Sequence, residues 1–189
     1  MPTDMRHADP LPIATPRLLL RRLDPTDLYD FQAYRTDPEV GRWQGWTATG
    51  DVAARTFLEQ NAAAALFVPG EWFQLGIALT QAPGRAGAPG PLIGDIGIGV
   101  DEHDPTHAEI GFTLHGAWQG RGLAAEAVAA ARTLAFAHGG VHRLCGITDT
   151  RNTGSIRLLE RLGFRLERTE PAVFRGEPCE EHHYVCAKE

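Results

Sequence analysis

Positive charge is in short supply in this chain: 18 Lys and Arg stand against 24 Asp and Glu, a formal net charge of −6. A protein that grips nucleic acid by neutralising phosphates needs the reverse balance, so that partner is not expected, whereas a cationic substrate suits the deficit. Cysteine is scarce as well. Cys145, Cys179 and Cys186 are an odd number at wide spacing, which fits reduced thiols better than a disulfide framework and gives the expectation of a cytoplasmic protein. No apolar run approaches the ~20 residues of a membrane span, so no membrane partner is expected. The opening MPTDMRHADPLP has acids and prolines where a signal peptide has an apolar core, and residues 1–12 are expected as a loose tail. What remains has ordinary globular proportions, 43% hydrophobic and 22% charged, and 189 residues suffice for one sizeable core but not comfortably for two. One domain over residues 13–189 is expected.

Along the chain, TPRLLLRRLDPTDL predicts a strand at Leu18 to Arg22 and a turn at Asp24-Pro25. Thr26 or Asp27 then caps a helix containing Leu28, Phe31 and Tyr34. A break at Asp37-Pro38 precedes a glycine-bearing loop with Trp43 and Trp46, and a second helix is predicted from about Asp51 to Leu66. WFQLGIALT and PLIGDIGIGVD follow as strands, separated by QAPGRAGAPG, whose Gly, Pro and Ala content predicts a mobile hairpin loop. In HAEIGFTLH, Ile110, Phe112 and Leu114 alternate with Glu109, Gly111 and Thr113, a strand with one apolar face. Leu123, Ala127, Ala131 and Leu134 recur at helical spacing up to His138, where Gly139-Gly140 stops the helix. A strand at about Arg143 to Thr148 and a short helix in NTGSIRLLERLGF come next, the latter ended by Gly163. Phe164 to Glu167 and His182 to Ala187 are predicted as the last strands, with RGEP as the turn. Strands followed by strand, helix, strand, helix and strand predict an α+β arrangement, a mixed sheet with helices on its faces.

The segment WQGRGLAAEAV holds the strongest chemical signal. A site for an anion at a helix start needs free amides pointing one way, an approach clear of side chains and the positive end of the helix dipole. Gly120 and Gly122 clear the approach, Gln119 and Arg121 bring side-chain donors, and Leu123 and Ala124 begin the helix. Taken alone, the pattern is equally a tight turn before a helix. It is not a Walker loop, because no Lys-Ser or Lys-Thr follows, and a dinucleotide fingerprint lacks its third glycine.

The context of that loop narrows the choice. AEIGF precedes it, RNTGSIRLLERLGF follows about thirty residues later, and TPRLLLR stands near the front of the chain. With these segments the sequence resembles the GNAT superfamily of acetyl-CoA-dependent N-acetyltransferases, and within it the RimJ/RimL group that acetylates protein N-termini. The resemblance runs from about Thr15 to the C-terminus, and Gln119, Gly122 and Ala124 match the group's pyrophosphate loop. It implies the GNAT fold, a mixed and mostly antiparallel sheet that splays near its middle, with acetyl-CoA as co-substrate in the splay and no metal. The pantetheine arm is then expected beside Phe112, Thr113 and Leu114, with the Leu114 amide polarising the thioester carbonyl. Asn152 is expected to bond the pantetheine region while also capping its helix, and Trp43 and Trp46 to shape the entry of the acceptor.

Acetyl transfer to an amine also requires a neutral nucleophile and a fate for the leaving thiolate. Glu109 is the first candidate base by resemblance, its plain alternative being a structural strand-end acid; His115 and Asp149 are weaker candidates by position. The tyrosine that many family members carry seven residues after the asparagine is Leu159 here, so that acid is missing. Ser155 resembles a serine that assists the thiolate in RimL-like proteins, its plain alternative being a first-turn serine with a local backbone bond. Cys145 is expected as an apolar filler, and the adjacent His182 and His183 point to opposite faces of a strand, which does not suit zinc. The expected reaction is direct attack of an amine in a ternary complex, with a protein or peptide N-terminus as acceptor. A small amine such as a polyamine, amino acid or aminoglycoside, a non-catalytic acyl-CoA-binding module, and a homodimer all remain open.

Overall fold

The computed structural model describes residues 9–81 and 90–188. Most of the QAPGRAGAPG separator and the first eight residues of the predicted tail lie outside them. The strands are β1 (Ile13–Ala14), β2 (Leu18–Arg22), β3 (Trp72–Leu79), β4 (Leu92–Val100), β5 (His107–Leu114), β6 (Arg143–Asp149), β7 (Arg165–Phe174) and β8 (Glu177–Ala187). The helices are α1 (Leu28–Arg35), α2 (Pro38–Gly41), α3 (Asp51–Ala63), α4 (Leu123–His138) and α5 (Thr153–Arg161). The strands form one sheet in the order β1-β2-β3-β4-β5-β6-β8-β7. Every neighbouring pair is antiparallel except β5 and β6.

Every residue of β4 is buried, which a half-covered strand would not show; helices lie over both of its faces. Ile96, Ile98 and Ile110 turn to one face, where α4 seats Leu123, Ala127, Ala131 and Leu134. Alanines in that stripe let the helix axis come close to the sheet, and apolar burial there drives folding at about 25 cal/mol per Å². On the opposite face α1 and α3 bring Phe31, Tyr34, Ala54 and Leu58 together with Leu23 and Leu92.

The feature that positions the site is the parallel pair. Its register covers only His107↔Arg143, Ala108↔Leu144 and Glu109↔Cys145, and it pairs no residue of β5 beyond Glu109. From there the two strands diverge, so the sheet opens along Ile110 to Leu114 as the family resemblance implies. On the diverging edge the Phe112 carbonyl accepts from Gln44 Nε2 at 3.2 Å, and the Leu114 carbonyl from Gln119 Nε2 at 2.8 Å. Because N–H and C=O of one strand residue point the same way, the Phe112 and Leu114 amides face the opening too.

Several elements differ from the sequence-based expectation. Asp24, rather than Thr26 or Asp27, is the capping side chain: it accepts from Thr26 N at 2.8 Å and opens a one-turn 3-10 helix, Pro25–Asp27. Asp27 completes a reciprocal capping box and takes a bidentate ion pair from Arg21, so α1 begins one turn later. The second helix ends at Ala63, three residues short of Leu66. The one-turn α2, capped by Asp37, occupies what the sequence marked only as a break. The last two strands form a hairpin of ten and eleven residues, much longer than predicted. On this exposed sheet edge Glu170, Pro171, Glu177 and Glu180 interrupt the apolar alternation that would otherwise announce a strand.

Candidate active site

Two cavities meet at the open edge of β5. The first, about 710 Å³, lies between the start of α4, the start of α5 and α2. Gly120 and Gly122 both have φ of +73°, a left-handed conformation that strains any residue with a Cβ, and Gly122 is the N-cap residue of α4. Among the described residues, no protein group accepts from the amides of residues 120–125. Gln119, Gly120, Gly122, Leu123 and Ala124 line this cleft together with Phe112, Thr113, Leu114, Asn152 and Ser155. A row of unpartnered amides at the positive end of a sixteen-residue helix is what a diphosphate requires.

The side-chain donors proposed from the sequence behave differently from the backbone. Gln119 gives its amide to the Leu114 carbonyl, tying the loop to the strand. Arg121 stands over the Trp118 ring, 5.0 Å from its centroid, and is not among the cleft-lining residues. The cations on the cleft wall are instead Arg151, Arg157 and Arg161. These were not singled out in RNTGSIRLLERLGF, although the last two stand one helical turn apart there, at i and i+4. Arg17 was missed as well: it donates to the Arg121 carbonyl at 2.9 Å and pairs with Glu126 at 2.7 Å, buttressing the loop from behind. Burial would raise the Glu126 carboxyl, but the hydrogen bonds from Thr15 Oγ1 and from Arg17 together hold it below its ordinary range.

Asn152 realises its capping alternative, accepting from Ser155 N at 3.2 Å, and lines the cleft at the same time. The half-buried Ser155 is on the cleft wall, and among the described residues its hydroxyl makes no hydrogen bond. Leu159 is 1% exposed in the core, its side chain filling the space above Gly146. No hydroxyl is available from that position.

The second cavity, about 570 Å³, lies between the sheet face carrying Gln74, Gly97 and Gly111 and the layer formed by α1 and α3. Trp43, Gln44, Phe112 and Thr113 line both cavities and form the wall they share. Glu109 lines the second cavity, and among the described residues its carboxylate has no hydrogen-bond or ion-pair partner. Burial, and to a smaller degree the nearby charge of Glu181, raise its affinity for a proton. Asp149 faces the same space but is held in the ionised form by Arg151, which chelates it at 2.8 and 2.6 Å. His115 lies in neither cavity; its Nδ1 accepts from Ala117 N at 3.0 Å, capping a 3-10 turn.

Beneath the second cavity is a buried ion pair that the sequence did not reveal. Arg35 donates to Asp95 at 2.8 Å and Tyr34 Oη donates to the same carboxylate oxygen at 2.6 Å. The guanidinium is boxed by aromatic rings, 4.3 Å from the Trp46 centroid and 4.8 Å from that of Phe31. Burial, ahead of the Asp95 charge, pushes the Tyr34 hydroxyl well above its ordinary value, so it remains a donor. Arg175, at the turn of the β7–β8 hairpin, reaches across to the carbonyls of Gln44 and Trp46 at 3.0 and 2.7 Å. Its φ of +53°, beside +81° at Gly176, is set by the two-residue turn that closes the β7–β8 hairpin. Trp46 is thus fixed from below by Arg35 and from the side by Arg175, while Trp43 lies against Arg42 and Arg151. The remaining candidates go elsewhere: Cys145 is raised to about 11 chiefly by burial, and His182 and His183 contact Thr169 and Glu170.

Comparison with known proteins agrees with this geometry. Residues 17–165 match the family model described as the acetyltransferase (GNAT) domain. A Bacillus licheniformis protein named uncharacterized N-acetyltransferase p20 is 29% identical over 154 residues, covering 81% of this chain and 82% of that protein. A GNAT-family acetyltransferase from Bacillus anthracis superposes with a TM-score of 0.78 at 22% identity, over 94% of this chain and 98% of the other. RimL, described as a ribosomal L7/L12 alpha-N-protein acetyltransferase and solved in complex with coenzyme A, gives 0.76 at 17% identity, over 93% and 96%. With the family domain matched over most of its length and the splayed sheet present, the chain belongs to the GNAT family and is an N-acetyltransferase.

Proposed function

We propose that the protein transfers an acetyl group from acetyl-CoA to the N-terminal amine of a protein or peptide, the two substrates meeting at the Trp43, Gln44, Phe112 and Thr113 wall. The observation that carries this reading is the pairing of two unlike cavities on one open strand edge. One offers unpartnered amides and cations to a diphosphate, the other a half-buried unpaired carboxylate to an ammonium group. RimL, whose acceptor is a protein N-terminus by name, shares the fold, which supports the choice of acceptor.

In this reading residues 119–124 hold the diphosphate of acetyl-CoA, and Phe112, Thr113, Leu114 and Asn152 align its pantetheine arm. That co-substrate supplies the activated acyl group. Glu109 takes the proton of the acceptor ammonium, directly or through water, and its raised proton affinity suits it to act as a base nearer neutrality than an exposed glutamate. The amine nitrogen bonds to the acyl carbon while the carbon–sulfur bond breaks, and the surplus proton on that nitrogen passes through water to the departing thiolate, releasing the free thiol of coenzyme A. The Leu114 amide stabilises charge on the carbonyl oxygen, and Ser155 donates a hydrogen bond to the departing thiolate. Direct transfer is favoured because Cys145, with a thiol raised to about 11, is poorly suited to carry an acyl group. The free thiols also suit a reducing compartment, in line with a cytoplasmic protein.

Thiol release measured over a panel of peptides, polyamines and aminoglycosides tests the acceptor. Peptide turnover is expected, and Glu109→Gln should lower its kcat/KM by about 10²-fold or more while leaving acetyl-CoA affinity in place. Turnover confined to polyamines or aminoglycosides would remove the N-terminus as acceptor. Intact cofactor binding with no turnover of any amine would make the protein a binding module.

A further inference from the structure

The floor of the acceptor cavity is bare. Gly97 of β4 and Gly111 of β5 are directly paired in register in the middle of the sheet, where glycine costs strand stability and needs a reason. The two positions are not equivalent. A Cβ on Gly97 would meet the Gln74 amide at 2.6 Å, and one on Gly99 would strike the Trp72 ring at 2.3 Å, so neighbouring side chains already cover those glycines. A Cβ on Gly111 would meet nothing within 4 Å. Gly111 therefore leaves open space directly beside Glu109 on the same strand face.

Around that space stand the rings of Trp43, Trp46, Phe57, Trp72 and Phe174. Trp72 is 51% exposed, a large apolar surface left unburied at a cavity wall. The charges are equally one-sided. Glu109 and Glu181 have no cationic partner among the described residues, and the lone cation of the lining, Arg35, is already neutralised by Asp95. Among the described residues, no unpaired cation stands in the lining to receive a carboxylate.

Resting on the proposed transfer to an amine, we propose that this cavity selects an acceptor whose amine-bearing residue has a large, flat aromatic side chain and no free carboxylate. The ring lies over Gly111 between the aromatic walls, and the ammonium group turns to Glu109. Free amino acids are rejected by the acidic lining. An N-terminal residue with its carboxyl in a peptide bond is accepted.

The test is kcat/KM by thiol release for peptides identical except for a first residue of Trp, Phe, Leu, Ser or Gly, together with tryptophanamide and free tryptophan. Trp and Phe peptides should exceed Ser and Gly peptides by about tenfold or more, and tryptophanamide should exceed free tryptophan by a similar factor. Gly111→Leu, which fills the open space, should abolish the aromatic preference; an unchanged circular dichroism spectrum and acetyl-CoA affinity by calorimetry would show that the fold and the other cleft survive. A flat series, or a preference for Ser and Gly, would overturn the proposal while leaving N-terminal transfer standing. Turnover of tryptophanamide without turnover of any peptide would keep the aromatic pocket and remove the peptide acceptor. Turnover of polyamines alone would remove both.

Discussion

The two cavities use different materials. The cleft proposed for acetyl-CoA is made largely of backbone: left-handed glycines, the first amides of α4 and the diverging edge of β5, with arginines at its rim. The cavity proposed for the acceptor is made of side chains, aromatic and acidic, over a ground of glycine. Backbone donors held by a helix and a strand cannot be exchanged by substitution, so they suit a ligand that a whole family shares. Side chains projecting from separate segments can be exchanged one at a time, so they suit a ligand that differs from protein to protein. The shared wall of Trp43, Gln44, Phe112 and Thr113 is where the fixed half and the variable half must agree on distance.

If that division holds, the acceptor half should break first and most severely at its foundation. Arg35→Ala leaves Asp95 buried with Tyr34 as its remaining hydrogen-bond partner and removes the cation from its aromatic box. Breaking one side of a buried pair typically costs about 3–5 kcal/mol, and thermal unfolding should report a loss of that size. Arg35→Met combined with Asp95→Asn removes both charges, keeps the Tyr34 hydrogen bond and should recover most of the loss. If the single and double variants were equally unstable, packing around Arg35, not its charge, would be the foundation.

The cofactor half should break at its backbone without comparable harm to folding. Gly122→Val puts a β-branched residue at φ of +73°, and the loop must relax to escape the strain. Relaxation turns away amides worth about 1.5–3 kcal/mol each to an anion, so acetyl-CoA affinity by calorimetry should fall about a hundredfold. Near-normal affinity would mean that the arginines of the rim, rather than the loop amides, do the binding.

The same contrast explains what was legible beforehand. The cleft is encoded in two short contiguous stretches, residues 119–124 and 152–155, where glycine before a helix and asparagine at a helix start have local physical meaning. Most strand and helix positions followed from apolar periodicity for the same local reason, the exceptions being α2 and the full length of the last hairpin. The acceptor cavity draws on Arg35, Trp46, Trp72, Gly111, Phe174 and Glu181, residues that only the sheet order brings together. Arg35 and Asp95 are sixty residues apart, and nothing local distinguishes them from surface charges. The bare floor was visible only as glycines in PLIGDIGIGVD and HAEIGF; what each of them faces depends on register and on Gln74 and Trp72 of β3, which cover the paired glycines of β4. Arg121 shows the converse: the loop marks it as a side-chain donor, whereas its guanidinium stands over the Trp118 ring, off the cleft wall, and only its backbone amide remains with the loop.

The smallest expected effect is the most diagnostic of how the acidic lining works. Glu181 raises the proton affinity of Glu109, though less than burial does. Removing that charge with Glu181→Gln relieves the repulsion that disfavours ionised Glu109, so Glu109 should lose its proton at lower pH. If Glu109 is the base, the acidic limb of kcat/KM against pH moves downward, by a fraction of a pH unit since the larger cause of the shift remains. The opposing effect falls on binding, because one of two carboxylates that attract a cationic acceptor is gone, and KM for a peptide should rise at neutral pH while kcat is little changed. A limb that stays in place with a raised KM would confine Glu181 to acceptor attraction. A limb that moves upward would mean that the titrating group is not a carboxylate repelled by Glu181, and Glu109 would lose its place as the base.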